Sequence, residues 1–180
     1  MNERRFNRPP DRLRAPERLA RLEVERVVDL CLEGIVVEQA LDVGTGTGVF
    51  AEAFAARGIE TTGIDVNPEM VAAASALVPV AQFVMAPAEA PPFPAGSFDL
   101  VFLGHVLHET DDARRALREA RRLARARVAV LEWPYREEEI GPPLAHRLKA
   151  EDVKALATEV GFTAVETLPL SHMVLFRMEK

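Results

Sequence analysis

One cysteine, Cys31, is present in the whole chain. A lone thiol excludes an intramolecular disulfide and any cysteine-cluster zinc site, and it fits a reducing compartment. A cytoplasmic protein is the expectation. Apolar runs are short. None approaches the ~20 residues that cross a bilayer, and residues 1–14 are polar and arginine-rich, unlike the apolar core of a secretory leader. The four histidines are scattered, and no His/Asp/Glu spacing reads as a metal site. Excess positive charge is also missing. With 22 basic against 28 acidic residues the net charge is −6, which disfavours a nucleic-acid partner. No internal repeat and no low-complexity block is present.

What remains is a chain that is 48% hydrophobic, enough to bury a core, and of a length that suits one domain over residues 1–180. Prolines cluster at 9–16, 87–94 and 134–143 and mark connections, because proline removes a backbone donor and fixes φ. Within the domain, residues 1–38 read as an N-terminal arm and helix, and 134–150 as a short segment on the substrate side.

Pro16 opens a helical pattern in which Val24, Val27, Val28, Cys31 and Ile35 form one buried stripe. Residues 39–43 are a nearly all-apolar strand of the kind covered on both faces. A helix at 49–57 follows, stopped by Gly58. Strands are expected at 61–65, 81–85, 98–103 and 127–133. Between them, Asn67 caps a helix beginning at Pro68, and Asp111 is expected to cap another with the stripe Ala113, Ala116, Leu117, Ala120 and Leu123. A last helix carries Val153, Leu156, Ala157 and Val160 and closes at Gly161. Residues 165–170 and 172–178 pair as a terminal antiparallel hairpin. Strands alternating with helices predict an α/β, Rossmann-like doubly wound sheet, with ligands at the carboxyl ends of its strands.

Basic residues gather in the arm (Arg4, Arg5, Arg8, Arg12 and Arg14) and again from Arg114 to Arg127. Asp111 and Glu119 stand four residues either side of Arg115, so a solvated helix face laced by ion pairs is expected there rather than an RNA-facing patch.

The sharpest signal is Asp42-Val43-Gly44-Thr45-Gly46-Thr47-Gly48, which leaves a buried strand and opens a helix. Glycines permit the tight turn and let backbone approach a ligand closely. Free N–H groups at the helix start favour a carboxylate. Asp65 ends the next strand, where an acid accepts hydrogen bonds from both hydroxyls of a ribose. A dinucleotide fingerprint would read G-x-G-x-x-G; here Val49 stands where its third glycine belongs, so a pyrophosphate site fits less well.

These residues resemble the first motif, and the acidic motif after it, of class I S-adenosylmethionine (SAM)-dependent methyltransferases, especially the broad group that includes quinone-biosynthesis C-methyltransferases. Residues 63–70 (GIDVNPEM), 93–99 (FPAGSFD), 106–109 (VLHE), 132–133 (EW) and 141–143 (GPP) extend the likeness from about Gln39 to Lys180. The resemblance implies a three-layer α/β/α fold with a seven-stranded sheet, mostly parallel with an antiparallel last strand. It implies SAM as cofactor, S-adenosylhomocysteine as product and a small-molecule methyl acceptor. By it, Gly44, Thr45 and Gly46, with Gly48 completing the loop, line the methionine part of SAM. Asp42 lies beneath and helps bind the ammonium. Asp65 takes the ribose, Val66 and Met70 lie against the adenine, and Gly104 ends the strand that faces the methyl. The family's Asp-Ala pair aligns with Pro87-Ala88. Pro87 has neither carboxylate nor N–H, which leaves Ala88 to offer its N–H to the ring. Lys149 stands where relatives carry a serine helix cap.

Methyl transfer from a sulfonium is an in-line displacement helped mainly by holding the acceptor at ~3–3.5 Å; a base matters only when the acceptor must lose a proton. His105 and His108, beyond the fourth strand, are the catalytic candidates, with His146 and Glu132 weaker ones. Arsenite methylation would want several thiols and is disfavoured. Trp133, Tyr135, Ile140 and Leu144 supply either an apolar or aromatic wall for the acceptor or plain core. With so little cap, the cleft is either open or completed by a second subunit in a homodimer. The alternative function is a SAM- or nucleoside-binding sensor or partner subunit without turnover.

Overall fold

The computed structural model describes residues 9–180, so the expectations for Arg4, Arg5 and Arg8 lie outside the described residues. Seven strands form one sheet: Gln39–Val43 (β1), Glu60–Asp65 (β2), Gln82–Met85 (β3), Phe98–Gly104 (β4), Ala124–Glu132 (β5), Ala164–Pro169 (β6) and Val174–Glu179 (β7). Their order is β3-β2-β1-β4-β5-β7-β6. β7 runs antiparallel to both β5 and β6, and the pairings from β3 across to β5 are parallel. The strand order reverses between β1 and β4, which opens a crevice at their carboxyl ends.

The central strands are apolar throughout because both faces are covered. On one face Leu41, Val43, Val101 and Leu103 pack with Ala113–Leu123 (α5) and Ala150–Glu159 (α6). On the other, Ala40, Leu100, Phe102 and Leu131 meet Val24–Leu32 (α2) and Val49–Ala55 (α3). Pro68–Leu77 (α4) packs on β2 and β3. Asn67 caps α4 as its sequence predicts, its side chain accepting from the N–H of Glu69 at 2.9 Å. Among the described residues no helix is long and apolar enough to cross a membrane.

Most boundaries fall within a residue or two of expectation, and three departures have a physical cause. The first helix is not continuous. Glu23 adopts left-handed φ 47°, ψ 45° and divides Pro16–Leu22 (α1) from α2. Its carboxylate accepts from the Ser171 N–H at 2.8 Å and pairs with Arg26 at 2.8 Å, so a contact with the β6–β7 turn fixes the break. Ile35 consequently falls beyond α2. Asp112, not Asp111, caps α5, accepting from the Arg115 N–H at 3.0 Å. β5 begins at Ala124 rather than Arg127, since buried Ala124 already pairs with Phe98. The arginine face of α5 is laced by charge, through Arg114–Glu159 at 2.9 Å, Arg122–Glu119 at 2.7 Å and, just past the helix, Arg125–Asp99 at 3.0 Å.

Candidate active site

Asp42 sits under the turn that leaves β1, only 2% exposed. The Thr45 hydroxyl donates to it at 2.6 Å. Burial pushes its carboxyl up to about 7; the hydrogen bonds from Thr45 and the Ala51 N–H pull the other way, and the charge of Asp65 adds to the rise. Gly44, Gly46 and Gly48 have φ of 67°, 54° and 77°, the left-handed region that glycine enters at no steric cost. The loop N–H groups are less available than the sequence implies. Thr45 N donates to the Ile64 carbonyl, Gly48 N to the Thr45 carbonyl and Gly46 N to Asp65 Oδ2, each at 2.9 Å. Asp65 Oδ1 accepts from the Asn67 N–H, also at 2.9 Å. The acid at the end of β2 thus grips the loop itself.

Side chains press on the loop where it lacks its own. A Cβ on Gly44 would lie 2.6 Å from Cβ of Val106, and one on Gly46 would lie 2.7 Å from Cδ1 of Leu13. Leu13 belongs to the 3-10 turn Pro10–Arg14. Its neighbour Arg14 donates to the Thr47 carbonyl at 2.9 Å and pairs with Glu52 at 2.7 Å. The N-terminal segment therefore lies across the glycine loop, an arrangement the sequence does not announce.

Of the other expected cofactor contacts, Val66 is 40% exposed at the exit of β2, while Met70 is buried in the first turn of α4. Ala88 is half-buried in the loop after β3. The neighbouring Glu89 carboxylate accepts from the Asp111 N–H at 2.8 Å, near the start of α5. Gly104 ends β4, and a Cβ there would meet the Phe102 ring at 2.8 Å.

The two histidines differ sharply. His108 Nδ1 lies 2.7 Å from Glu132 Oε2, and both side chains are nearly fully buried. The His108 N–H donates to the other carboxylate oxygen at 3.1 Å. Burial opposes charge on His108 and Arg147 adds to that opposition, but Glu132 at contact and Glu109 nearby outweigh them and raise its pKa. His108 is a bolt between β4's exit and β5. His105 has a left-handed φ of 58° and stacks on Trp133 at 5.2 Å between ring centres. Its Nε2 is buried without a hydrogen-bond partner. Burial, then the charges of Arg18 and His108, hold its pKa well below the ordinary imidazole range, so it is neutral.

Trp133 is core: it is buried, with Gly141 pressed on one part of its ring and Arg147 over it at 5.3 Å. Its edge, with Tyr135, Leu148 and Lys149, also lines a cavity of about 440 Å³. Ile140 is 46% exposed and not part of that cavity, and Leu144 lines a separate concavity. His146 closes the 3-10 turn Leu144–His146. Lys149 precedes α6 without a side-chain cap, as expected. Two residues were hidden in sequence among many arginines. Arg147 donates to the carbonyls of Pro134, Arg136, Ile140 and Pro142 at 2.8–3.1 Å, and so organises the segment after β5. Arg18 is half-buried on α1, and its charge reaches His105. Among the described residues no group of three or more His, Cys, Asp or Glu could hold a metal ion.

A family model described as a methyltransferase domain matches residues 41–130, half of the chain, and the chain belongs to this family. The uncharacterised methyltransferase YcgJ of Bacillus subtilis is 37% identical over 90 residues, 47% of this chain and 36% of that protein. A demethylmenaquinone methyltransferase of Chlorobaculum tepidum is 37% identical over 93 residues, 51% of this chain and 38% of that one. The matches thus span little more than a third of these relatives. A SAM-dependent methyltransferase from Aquifex aeolicus shares the fold, with a TM-score of 0.82 over 97% of this chain and 98% of that one at 22% identity.

Proposed function

We propose that the protein transfers a methyl group from SAM to a small-molecule acceptor that is hydrophobic or aromatic. The observation that carries this reading is the pairing of three left-handed glycines with the Asp65 carboxylate at the exit of adjacent strands. The residues fit the cofactor. The loop tolerates no side chain at 44 or 46 without a clash, and Thr47 Oγ1 is buried there without a partner. SAM supplies an electrophilic methyl when bound. Gly44–Gly46 would hold its amino-acid tail over Asp42, Asp65 its ribose, and Val66, Met70 and Ala88 its adenine. Catalysis then rests on placing the acceptor in line. If the acceptor must lose a proton, His105 is the candidate with an unengaged ring nitrogen, whereas His108 is committed to Glu132.

A second reading, a SAM- or nucleoside-binding protein without turnover, draws on the seat of Leu13 over Gly46 and on Pro87 in place of an adenine-binding carboxylate. Calorimetric titration with SAM, S-adenosylhomocysteine and NAD tests the cofactor; tighter binding of NAD overturns the assignment. Turnover of methyl-labelled SAM against quinol precursors, phenols and RNA separates enzyme from binder. Label in a phenol or quinol product is the expected result.

A further inference from the structure

The carboxyl ends of β1, β2, β4 and β5 lie at one end of the sheet, because their pairings are parallel. The glycine loop and Asp65 occupy the β1–β2 side of that end. On the β5 side is a cavity of about 440 Å³, apart from the residues assigned to the cofactor. Its volume falls within the ~300–1,000 Å³ of small-molecule pockets. Trp133 and Tyr135, just past β5, give it aromatic walls, and Val174 and Phe176 of β7 with Leu148 before α6 complete the apolar lining. Val174 pairs with Glu132, the last residue of β5, so the β7 wall stands at the level where the chain leaves the sheet.

These walls are held in place. The indole is fixed by the His105 ring, stacked at 5.2 Å, and by the Arg147 guanidinium at 5.3 Å. Arg147 also donates to the Pro134 carbonyl at 3.1 Å, which fixes the backbone beside Tyr135. Trp133 touches two regions: its ring packs on His105, the residue after Gly104, and its edge borders the cavity. One indole therefore separates the cavity from the exit of β4. The charges on the cavity wall are placed unequally. Lys149 Nζ sits over the Tyr135 ring at 5.3 Å, a cation–π distance, and among the described residues it pairs with no carboxylate. Glu151 lines the cavity too, but it stands in the first turn of α6, where backbone N–H groups already favour its charge. The cation is the charge left for a ligand.

We propose that this cavity seats the methyl acceptor and that the acceptor is an aromatic acid, its ring against Trp133, Tyr135 and Phe176 and its carboxylate on Lys149. The inference rests on the proposed methyltransferase function and narrows it. Among hydrophobic and aromatic acceptors, those that carry an anionic substituent are selected. Lys149 sets that specificity and moves no proton.

The test uses the full chain saturated with S-adenosylhomocysteine and three probes built on one ring system: naphthoate, naphthamide and naphthylmethylamine, substituted at the same ring position. Binding is read by calorimetry and by the fluorescence of Trp133, the one tryptophan of the chain. Wild type should bind the acid about fivefold more tightly than the neutral amide, the upper end for an ion pair with an exposed lysine. The acid should also change the Trp133 emission. Lys149→Gln should remove the preference and Lys149→Arg should keep it, while neither changes the affinity for S-adenosylhomocysteine. Tyr135→Leu should weaken acid and amide alike. The inference is overturned if wild type binds acid and amide equally, if the preference survives Lys149→Gln, if the amine binds most tightly, or if the acid binds without altering Trp133. Each of these results leaves the methyltransferase reading standing so long as S-adenosylhomocysteine binds. A wild type that binds no S-adenosylhomocysteine brings down that reading, and the acceptor role of the cavity with it.

Discussion

Gly44 and Gly46 offer a paired perturbation in which similar backbones meet different neighbours. Both have left-handed φ, 67° and 54°, so alanine at either position incurs about 1–2 kcal/mol of backbone strain. The new Cβ then meets Val106 Cβ at 2.6 Å in one case and Leu13 Cδ1 at 2.7 Å in the other. Val106 is β-branched, and its Cβ cannot leave without moving backbone, so Gly44→Ala adds an overpacking cost of about 1–3 kcal/mol. Leu13 Cδ1 is the far end of a flexible side chain and swings aside for little. Urea unfolding should therefore show Gly44→Ala losing roughly 2–5 kcal/mol and Gly46→Ala roughly 1–2 kcal/mol. Calorimetry on the folded fraction should show both weakening S-adenosylhomocysteine, because each change distorts the loop proposed to hold the amino-acid tail. Equal unfolding midpoints for the two variants would refute the packing argument. Undiminished affinity in both would remove the loop from the binding site.

Asp65→Ala should weaken SAM by about 1–3 kcal/mol through loss of a charged hydrogen-bond partner, read by calorimetry; unchanged affinity would put the ribose elsewhere. Asp42, with a carboxyl pKa raised to about 7 from an ordinary value of about 3.9, holds its proton more tightly folded than unfolded. Its contribution is fully present below pH ~4 and declines as pH rises to about 7, by up to a few kcal/mol. The difference in urea midpoint between wild type and Asp42→Asn should therefore shift against wild type across that window, and a flat difference would contradict the buried acid. Glu132→Gln should cost about 3–5 kcal/mol, the usual penalty for stranding one member of a buried pair. Because the His108 pKa is raised, the pair stabilises fully below pH ~6.5 and less as pH climbs through the raised value. The variant should lose that alkaline decline in a pH series of unfolding midpoints.

Legibility in sequence followed the range of the interaction. The strand at 39–43 and the glycine loop were readable because an apolar run and three alternating glycines are local. The same holds for Asn67, which caps its own helix. The break at Glu23 was not, since its left-handed turn is accompanied by a bond to Ser171, 148 positions away. The pattern at Asp111-Asp112 shows two acids where one caps, and the choice falls to Asp112 while Glu89 reaches across to bind both N–H groups. Around the site, the loop and Asp65 were visible as types and spacing, but their mutual hydrogen bond was not. In sequence, Leu13 is one apolar residue within a basic arm, and Arg18 and Arg147 are two arginines among many. Their roles come from burial and from carbonyls that converge only in the folded chain.

A crystal structure with S-adenosylhomocysteine bears most directly on all of this. The expected map shows the amino-acid tail on Gly44–Gly46, Leu13 displaced from Gly46, and both ribose hydroxyls on Asp65. A nucleoside lodged in another crevice, with Leu13 still seated on Gly46, would contradict it.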